Sequence, residues 1–336
     1  MKIPRQTFLA SGTAAAVALA LPCGASAADL IPFNITVTHY PEQDYALPII
    51  VAQQNGFMGK QGIDVKSITG SSGGGTTVRN VAQGGLTVGQ VATPAAIKAI
   101  LAGEDLKIIG GGVVAAGTIS WSVKKNSPIK TIHDLVGKTV GFTQPGSASE
   151  SLLALSLRAA NIDPSTVKTR AAGGIGENYA LLMSGDLDVG FTVDPLLTQK
   201  SNEMRVVFYA REYVPHFMQS VWVADSGTLH DKSTAIAGFL RGWTYGADYV
   251  ASHVPQSARM FAKATSADES VVLTTLQHEQ PAQYFGKGDL NREALATAVE
   301  GMRIGKLLGP DKVDISKLID QSALASTMRT SLPTMM

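Results

Sequence analysis

Gly73–Pro94 reads GGGTTVRNVAQGGLTVGQVATP, and Gly174–Pro195 reads GIGENYALLMSGDLDVGFTVDP. The two align without a gap at a constant offset of 101 residues. Gly73 and Gly75 fall on Gly174 and Gly176, while Gly84, Leu86, Val88, Gly89 and Pro94 fall on Gly185, Leu187, Val189, Gly190 and Pro195. Each copy predicts a Gly-rich loop, a helix (Thr76–Gln83, Glu177–Ser184), a tight turn, a strand and a second loop stopped by proline. Glycine lets backbone amides approach a ligand closely. A helix starting after such a loop turns unpaired N–H groups toward it. One unit in each of two halves therefore predicts helix N-termini facing one another across a cleft, although a repeat of this kind can also be purely architectural.

The 336 residues suffice for two domains, each with a sizeable core. A net charge of +1, with 16% charged and 6% aromatic residues, leaves no electrostatic footprint for nucleic acid and no polybasic membrane face. Lys2 and Arg5, an apolar run Phe8–Leu21 and Ala25-Ser26-Ala27 ahead of Asp29 predict a secretory signal peptide over Met1–Ala27, cleaved near Ala27. Arg5-Gln6 leaves Sec and a degenerate twin-arginine route both open. The single cysteine, Cys23, belongs to that leader, so the mature chain is expected to lack disulfides and thiolate chemistry. No later run is long and charge-free enough to span a bilayer. An exported, soluble product is expected.

Outside the repeat, Phe33–Val37 and Ile63–Ile68 read as strands around a helix at Leu47–Gln54 that Asn55-Gly56 stops. A helix from Pro94 to Ala102 and a strand Lys107–Ile109 follow. This β-α-β alternation predicts a parallel sheet flanked by helices, with ligands at the carboxyl ends of its strands. Thr118–Val123 and Met218–Ala224 read as the two crossings between halves. Between them the theme returns as strand Thr139–Phe142, helix Glu150–Ala160, strand Val167–Arg170 and the second copy of the repeat. The mostly helical tail from Lys232 is expected to pack on the first half. The expected units are residues 29–120 with 220–336, and residues 121–219.

Several motifs bear on chemistry. Gly70-Ser71-Ser72-Gly73-Gly74 satisfies G-x-S-x-G between a strand and a helix, but the glycine run makes the match cheap, and the six histidines are scattered singly. Gly137-Lys138-Thr139 resembles the end of a P-loop, yet Ile132 stands where its first glycine belongs. Gly110–Ala115 fits G-x-G-x-x-A without a following helix or an acidic ribose partner. The histidines show no metal-ligand spacing. No metal, cofactor or catalytic group is expected.

The positive candidates are loop apices. Thr38, His39 and Tyr40 end the first strand, Ser71, Ser72 and Gly73 the second, and Thr93 the third. In the other half they are Ser147 and Ser149 before a helix, Gly174 and Asn178 in the second Gly-rich loop, and Asp194. Taken singly, each reads as an ordinary N-cap. Placed together at strand ends in both halves, they read as a set suited to a small polar or anionic group. Trp121 and Gln219 lie on the crossings and could line the cleft floor; for Trp121 a core position is the equal alternative.

These residues also carry a resemblance. Leu47–Val65, LPIIVAQQNGFMGKQGIDV, resembles the A-x-x-x-G-F-F/M … G-I/L-x-V opening of periplasmic solute-binding proteins of the nitrate/sulfonate/taurine ABC-importer group. Ile129–Val140, IKTIHDLVGKTV, is similar to that group's I-K-T-x-x-D-L-K-G-K-x-V, and Gly146-Ser147 follows in place. Gly185–Val189 with Asp194-Pro195 resembles its G-x-V-D-A … E-P segment. The resemblance spans nearly the whole mature chain. It implies a two-lobed α/β periplasmic-binding-protein fold, each lobe a parallel-rich sheet flanked by helices and joined by crossing strands. It further implies a periplasmic, non-enzymatic monomer that captures a small organic anion by lobe closure and docks on a membrane permease driven by a separate ATPase. The same superfamily includes binders of thiamine-pyrimidine precursors, a pyrimidine synthase and small-substrate lyases of menaquinone biosynthesis. A nitrogenous ring ligand and an enzyme thus remain the alternatives. Asp194 would oppose an anion and would suit a ligand bearing N–H groups.

Overall fold

A computed structural model of the chain describes Met1 and residues 30–83 and 85–336. The leader read over Met1–Ala27, apart from Met1, lies outside the described residues, as does Gly84 of the repeat. The first segment runs β1 (Ile31–Thr38), α1 (Leu47–Gln54), α2 (Phe57–Lys60), β2 (Ile63–Ser71), α3 (Gly74–Gln83), β3 (Val88–Ala92), α4 (Thr93–Leu101) and β4 (Lys107–Gly111). The second runs β5 (Ser120–Lys124), β6 (Thr139–Phe142), α5 (Ala148–Ala159), β7 (Lys168–Ala171), α6 (Ile175–Ser184), β8 (Gly190–Thr192), α7 (Leu196–Gln199) and β9 (Met204–Tyr209). The chain then returns through β10 (Ser220–Ala224). It ends in helices α8 (Ser226–Asp231), α9 (Ser233–Ser252), α10 (Val254–Thr265), α11 (Glu269–Glu279), α12 (Pro281–Tyr284), α13 (Arg292–Ile304) and α14 (Ile315–Leu318).

Alternation in β1 buries Phe33, Ile35 and Val37 on one face. β1 pairs in parallel with β2 and β3, but β4 does not join β3 directly. β10 enters between them, antiparallel to both, giving the order β2-β1-β3-β10-β4. The second sheet is built alike. β6 pairs in parallel with β7, a parallel bridge from Val140 to Val189 ties β6 to β8, and β5 lies antiparallel between β8 and β9. Its order is therefore β7-β6-β8-β5-β9, the same path as the first. Each expected parallel sheet thus holds one antiparallel strand, supplied by the chain as it crosses. Each sheet with its helices forms one lobe.

The offset seen in the glycines extends to whole elements. α3 and α6 begin 101 residues apart, at Gly74 and Ile175, and so do α1 and α5, at Leu47 and Ala148. Gly89 in β3 and Gly190 in β8 serve helix–strand packing. A Cβ on Gly89 would sit 2.5 Å from Val81 Cγ2 of α3, and one on Gly190 would sit 3.2 Å from Leu182 Cβ of α6. Val81 and Leu182 are again 101 positions apart. These repeated glycines seat a helix on its strand, not a ligand on its loop.

The tail departs from the expected placement on the first lobe alone. α9 packs on α1, with Gly246 so close to it that a Cβ would lie 2.0 Å from the Pro48 carbonyl oxygen. α13 packs on α5 of the second lobe, where a Cβ on Gly301 would lie 2.7 Å from Leu155 Cδ1 and 3.0 Å from Ser151 Cβ. α13 therefore spans the two lobes, resting mainly on α5 of the second and also on α4 of the first. The aromatic centre of the first lobe is Trp222, Trp243 and Phe239, all fully buried and in edge-to-face contact.

Candidate functional site

The carboxyl ends of β1, β2 and β3 face those of β6, β7 and β8, as expected for ligand sites in open α/β sheets. Between them lies a chamber of about 50 Å³, room for one or two waters at about 30 Å³ each. The first lobe lines it with Thr38 and His39 at the end of β1, Gln43 and Tyr45 around the short turn that follows, and Gly73 and Gly74 at the start of α3. The second lobe supplies Thr143, Gln144, Ser147 and Ser149 from the loop into α5, and Phe191 from β8. Ile119, Gln219 and Ser220 come from the crossings. Backbone bonds such as Gln219 N–H to the Val113 carbonyl (2.9 Å) and Ala210 N–H to the Ile119 carbonyl (2.8 Å) hold the crossing segments side by side.

Hydroxyls and amides dominate the lining, which includes no lysine, arginine, aspartate or glutamate. Ser147 caps α5, its Oγ accepting from Glu150 N–H at 3.2 Å, while Glu150 Oε2 accepts from Gly146 N–H at 2.6 Å. The carboxylate thus reaches the residue before the N-cap, while Ser147 N–H donates to the Gln144 carbonyl at 3.0 Å. Ser149 Oγ links Ser147 and Thr143, each at 2.9 Å. Thr38 Oγ1 lies 2.6 Å from Thr77 Oγ1 and donates to the Gln90 carbonyl at 3.0 Å. Gln219 Nε2 donates to the Tyr45 hydroxyl. The Oε1 atoms of Gln43 and Gln219 are buried without a hydrogen-bond partner. An orphaned buried acceptor costs about 1–3 kcal/mol, so these two oxygens favour a ligand that brings N–H or O–H donors.

Two titratable groups on the wall are held neutral. Burial lowers His39 from 6.5 to about 4, against a raising influence from Glu177. Burial, then the nearby Asp44 and Glu279, raises the Tyr45 hydroxyl far above its ordinary value. Outside the chamber an open mouth of about 770 Å³ separates Tyr40, Ser71 and Ser72 of the first lobe from Gly173, Gly174 and Glu177 of the second. His39 and Gln144 line both spaces and form the threshold between them. A comparable groove of about 780 Å³ runs along α5 to Lys306, past β7. It lies on the outer face of the second lobe, where, among the described residues, no counterpart of α2 and α10 covers α5 as they cover α1.

The sequence-predicted residues divide accordingly. Thr38, His39, Gly73, Ser147, Ser149 and Gln219 meet at the chamber, and Tyr40, Ser71, Ser72 and Gly174 at the mouth. Ser72 hydrogen-bonds to no histidine or carboxylate among the described residues. Thr93 lies just behind the wall, fully buried, its N–H donating to the Gln219 carbonyl at 3.1 Å. Three residues face elsewhere. Trp121 is fully buried in the second lobe, stacked on Phe208 at 5.1 Å, with Nε1 donating to the Gly141 carbonyl at 2.9 Å. It sits on β5, a central strand covered on both faces, and so belongs to the core. Asn178 is fully buried and saturated: Nδ2 donates to the carbonyls of Gly173 (3.2 Å) and Gly174 (3.0 Å), and Oδ1 accepts from Phe191 N–H (3.3 Å). Asp194 is 2% exposed and turned to the flank, where Oδ1 accepts from Thr198 N–H (2.9 Å) and hydroxyl (2.7 Å) and Oδ2 meets His278 Nδ1 at 3.0 Å. Gln43, Tyr45, Thr143 and Gln144 were missed. For Thr143 and Gln144 the signal was present, since they follow β6 as Thr38 and His39 close β1.

Comparison with known proteins agrees with this geometry at the level of fold. The chain is 24% identical over 238 residues, 68% of its length and 72% of the other's, to a putative thiamine biosynthesis protein of Haemophilus influenzae. Its structure resembles the periplasmic aliphatic sulphonate binding protein SsuA of Escherichia coli, with a TM-score of 0.68, 22% identity, and 87% of this chain and 98% of that one covered. It also resembles the alkanesulfonate-binding protein SsuA of Xanthomonas axonopodis pv. citri bound to MOPS, with a TM-score of 0.70, 16% identity, and 89% and 98% covered. Residues 43–258 match the family model described as NMT1/THI5 like. With every strand but β1, the crossings and most of the chamber inside that span, the chain belongs to the NMT1/THI5-like family.

Proposed function

We propose that the chain is the extracytoplasmic solute-binding component of an ABC importer, working in the periplasm as a monomer and delivering its ligand to a membrane permease with a separate ATPase. Its lobes are residues 29–120 with 220–336 and residues 121–219, with α13 resting mainly on the second. The observation that carries this reading is the chamber itself, enclosed by neutral hydrogen-bonding groups from both lobes. A solute there touches both lobes only when they are together, and that differential contact drives closure.

The solute that fits best is small, flat and uncharged, with N–H donors for Gln43 and Gln219 and a face to lie against Phe191. A pyrimidine-like ring has these properties and, being larger than the roughly 50 Å³ that the shut chamber leaves, would be held with the lobes slightly further apart. The starts of α3 and α5 at the wall favour a second reading, a small organic anion, by about 0.3–1 kcal/mol per helix. A melting screen over pyrimidines, aromatic acids, carboxylates, sulfonates and nitrate separates the two, because a ligand that binds only the folded chain raises its melting temperature. Shifts from pyrimidines and not from sulfonates are expected. A shift from sulfonates alone refutes the neutral-ring reading, and consumption of a solute by the protein alone refutes the receptor reading in favour of an enzyme.

A further inference from the structure

Beside the chamber, on the flank where α11 meets α7, three carboxylates gather from both lobes. Asp44 lies in the turn after β1, Glu279 ends α11, and Asp194 precedes α7; they are 5%, 6% and 2% exposed. Thr118, on the crossing, joins them: its hydroxyl donates to Glu279 Oε1 (3.4 Å) and accepts from Asp194 N–H (3.1 Å). The Asp44 and Glu279 carboxyls adjoin one another. Asp44 Oδ2 and Glu279 Oε2 are both buried without a hydrogen-bond partner, so a proton between the two carboxyls would satisfy both. The remaining titratable and charged groups facing the cluster are Tyr45, Tyr284, Tyr209, His278 and Arg211. His278 meets Asp194, whereas Arg211 uses its Nη1 on carbonyls, those of Gly117 (3.1 Å) and His278 (2.8 Å). No lysine or arginine pairs with any of the three carboxylates among the described residues.

We propose that Asp44, Glu279 and Asp194 form a proton-held clamp between the lobes: with a proton shared by Asp44 and Glu279 the lobes stay together over the chamber, and loss of that proton drives Asp194 away and the lobes apart. The proposal rests on the reading of the chamber as a solute site shut by lobe movement. Its sign follows from the surroundings. Burial first, then Asp44 and Asp194, raise Glu279 well above its ordinary value, and burial raises Asp44 to about 6 against the lowering effect of its hydrogen bond to Glu279, so the closed form keeps its proton to higher pH than an open form with Asp194 withdrawn and water admitted. Closure is therefore strongest at low pH and is lost as pH rises through the raised value. With one proton linked, the closed-to-open ratio changes by up to about tenfold per pH unit inside that window.

The test uses the full chain without any solute. In a Cys23→Ser background, Lys66→Cys on β2 and Lys168→Cys on β7, both exposed, carry spin labels whose separation reports lobe position at pH 5, 6.5 and 8. The short-distance population is expected to fall several-fold from pH 5 to pH 8 in the otherwise unaltered chain and to stay constant in Glu279→Gln, whose amide donates to Asp44 at every pH. Should Glu279→Gln fail to fold, Asp194→Asn is the alternative: it removes the charge that the ionised pair repels, so the fall in the short-distance population between pH 5 and pH 8 should shrink. Distances that do not change with pH overturn the clamp, as does a Glu279→Gln or Asp194→Asn chain that keeps the unaltered response. Because no ligand is involved, failure here leaves the receptor reading standing, and an empty melting screen leaves the clamp standing.

Discussion

Asn178→Ala tests whether this residue is a structural pin or a ligand contact. Its side chain fills a place that a neighbouring strand would otherwise occupy. β8 touches β6 through a single bridge at Val189, and two residues on, Phe191 N–H finds its acceptor in Asn178 Oδ1 at 3.3 Å. Truncation leaves that N–H buried and unpaired, at about 1–3 kcal/mol. The carbonyls of Gly173 and Gly174 lose a donor as well, although Gly174 still accepts from Asn178 N–H at 3.1 Å. The total is about 2–4 kcal/mol. At roughly 2 °C per kcal/mol for a chain of this size, the melting temperature should fall by about 4–8 °C. Asn178→Asp should cost more at neutral pH, since it turns a buried carboxylate oxygen toward the carbonyls of Phe142, Gly173 and Gly174. Thermal melts followed by circular dichroism, with and without a solute found in the screen, provide the measurement. A melt unchanged within 1 °C together with a lost solute response would refute this reasoning and return Asn178 to the ligand site.

Two further outcomes are expected. Gly246→Ala should destabilise the chain by about 1–3 kcal/mol or more, since its Cβ would meet the Pro48 carbonyl oxygen at 2.0 Å, whereas Gly59→Ala in α2, with nothing within 4 Å, should be neutral or stabilising by up to about 1 kcal/mol; equal effects in chemical denaturation would contradict the packing of α9 on α1. His39, lowered from 6.5 to about 4, is charged more readily in the unfolded chain, so stability should decline as pH falls from 6.5 toward 4. His39→Asn, which tolerates the positive φ of 58° at this position, should flatten that decline in melts at pH 4 to 7, and an unchanged slope would show that the imidazole is not the group responsible.

The repeat was legible because it is covalent: the same spacing of glycine, helix and strand produced α3 and α6 at an unchanged offset. The meaning of its glycines was not. A glycine that admits a ligand and one that seats a helix leave the same letter, and only Val81 and Leu182 in place against Gly89 and Gly190 distinguish them. Strand ends at Thr38, His39 and Ser147 were legible from the rule that sites form at carboxyl ends. Gln43 and Tyr45 were not, since one caps and the other sits within a single 3-10 turn with no periodicity to read. Trp121 and Asp194 show a different limit. Sequence placed Trp121 on a crossing and Asp194 at a loop apex, but the direction of a side chain at either place depends on which elements cover it. The clamp was out of reach, for Asp44 and Glu279 meet only after nearly the whole fold has assembled.

The antiparallel strand within each sheet has a consequence for assembly. β5 precedes β8 and β9, so the second lobe can complete its sheet from one continuous stretch, Ser120–Tyr209. β10 follows the whole of that stretch, and until it arrives β4 has no neighbour beside β3. The half synthesised first is thus expected to finish last, its open edge waiting on residues more than a hundred positions downstream. Such long-range closure slows folding and keeps a nascent chain pliable until its return strand has been made.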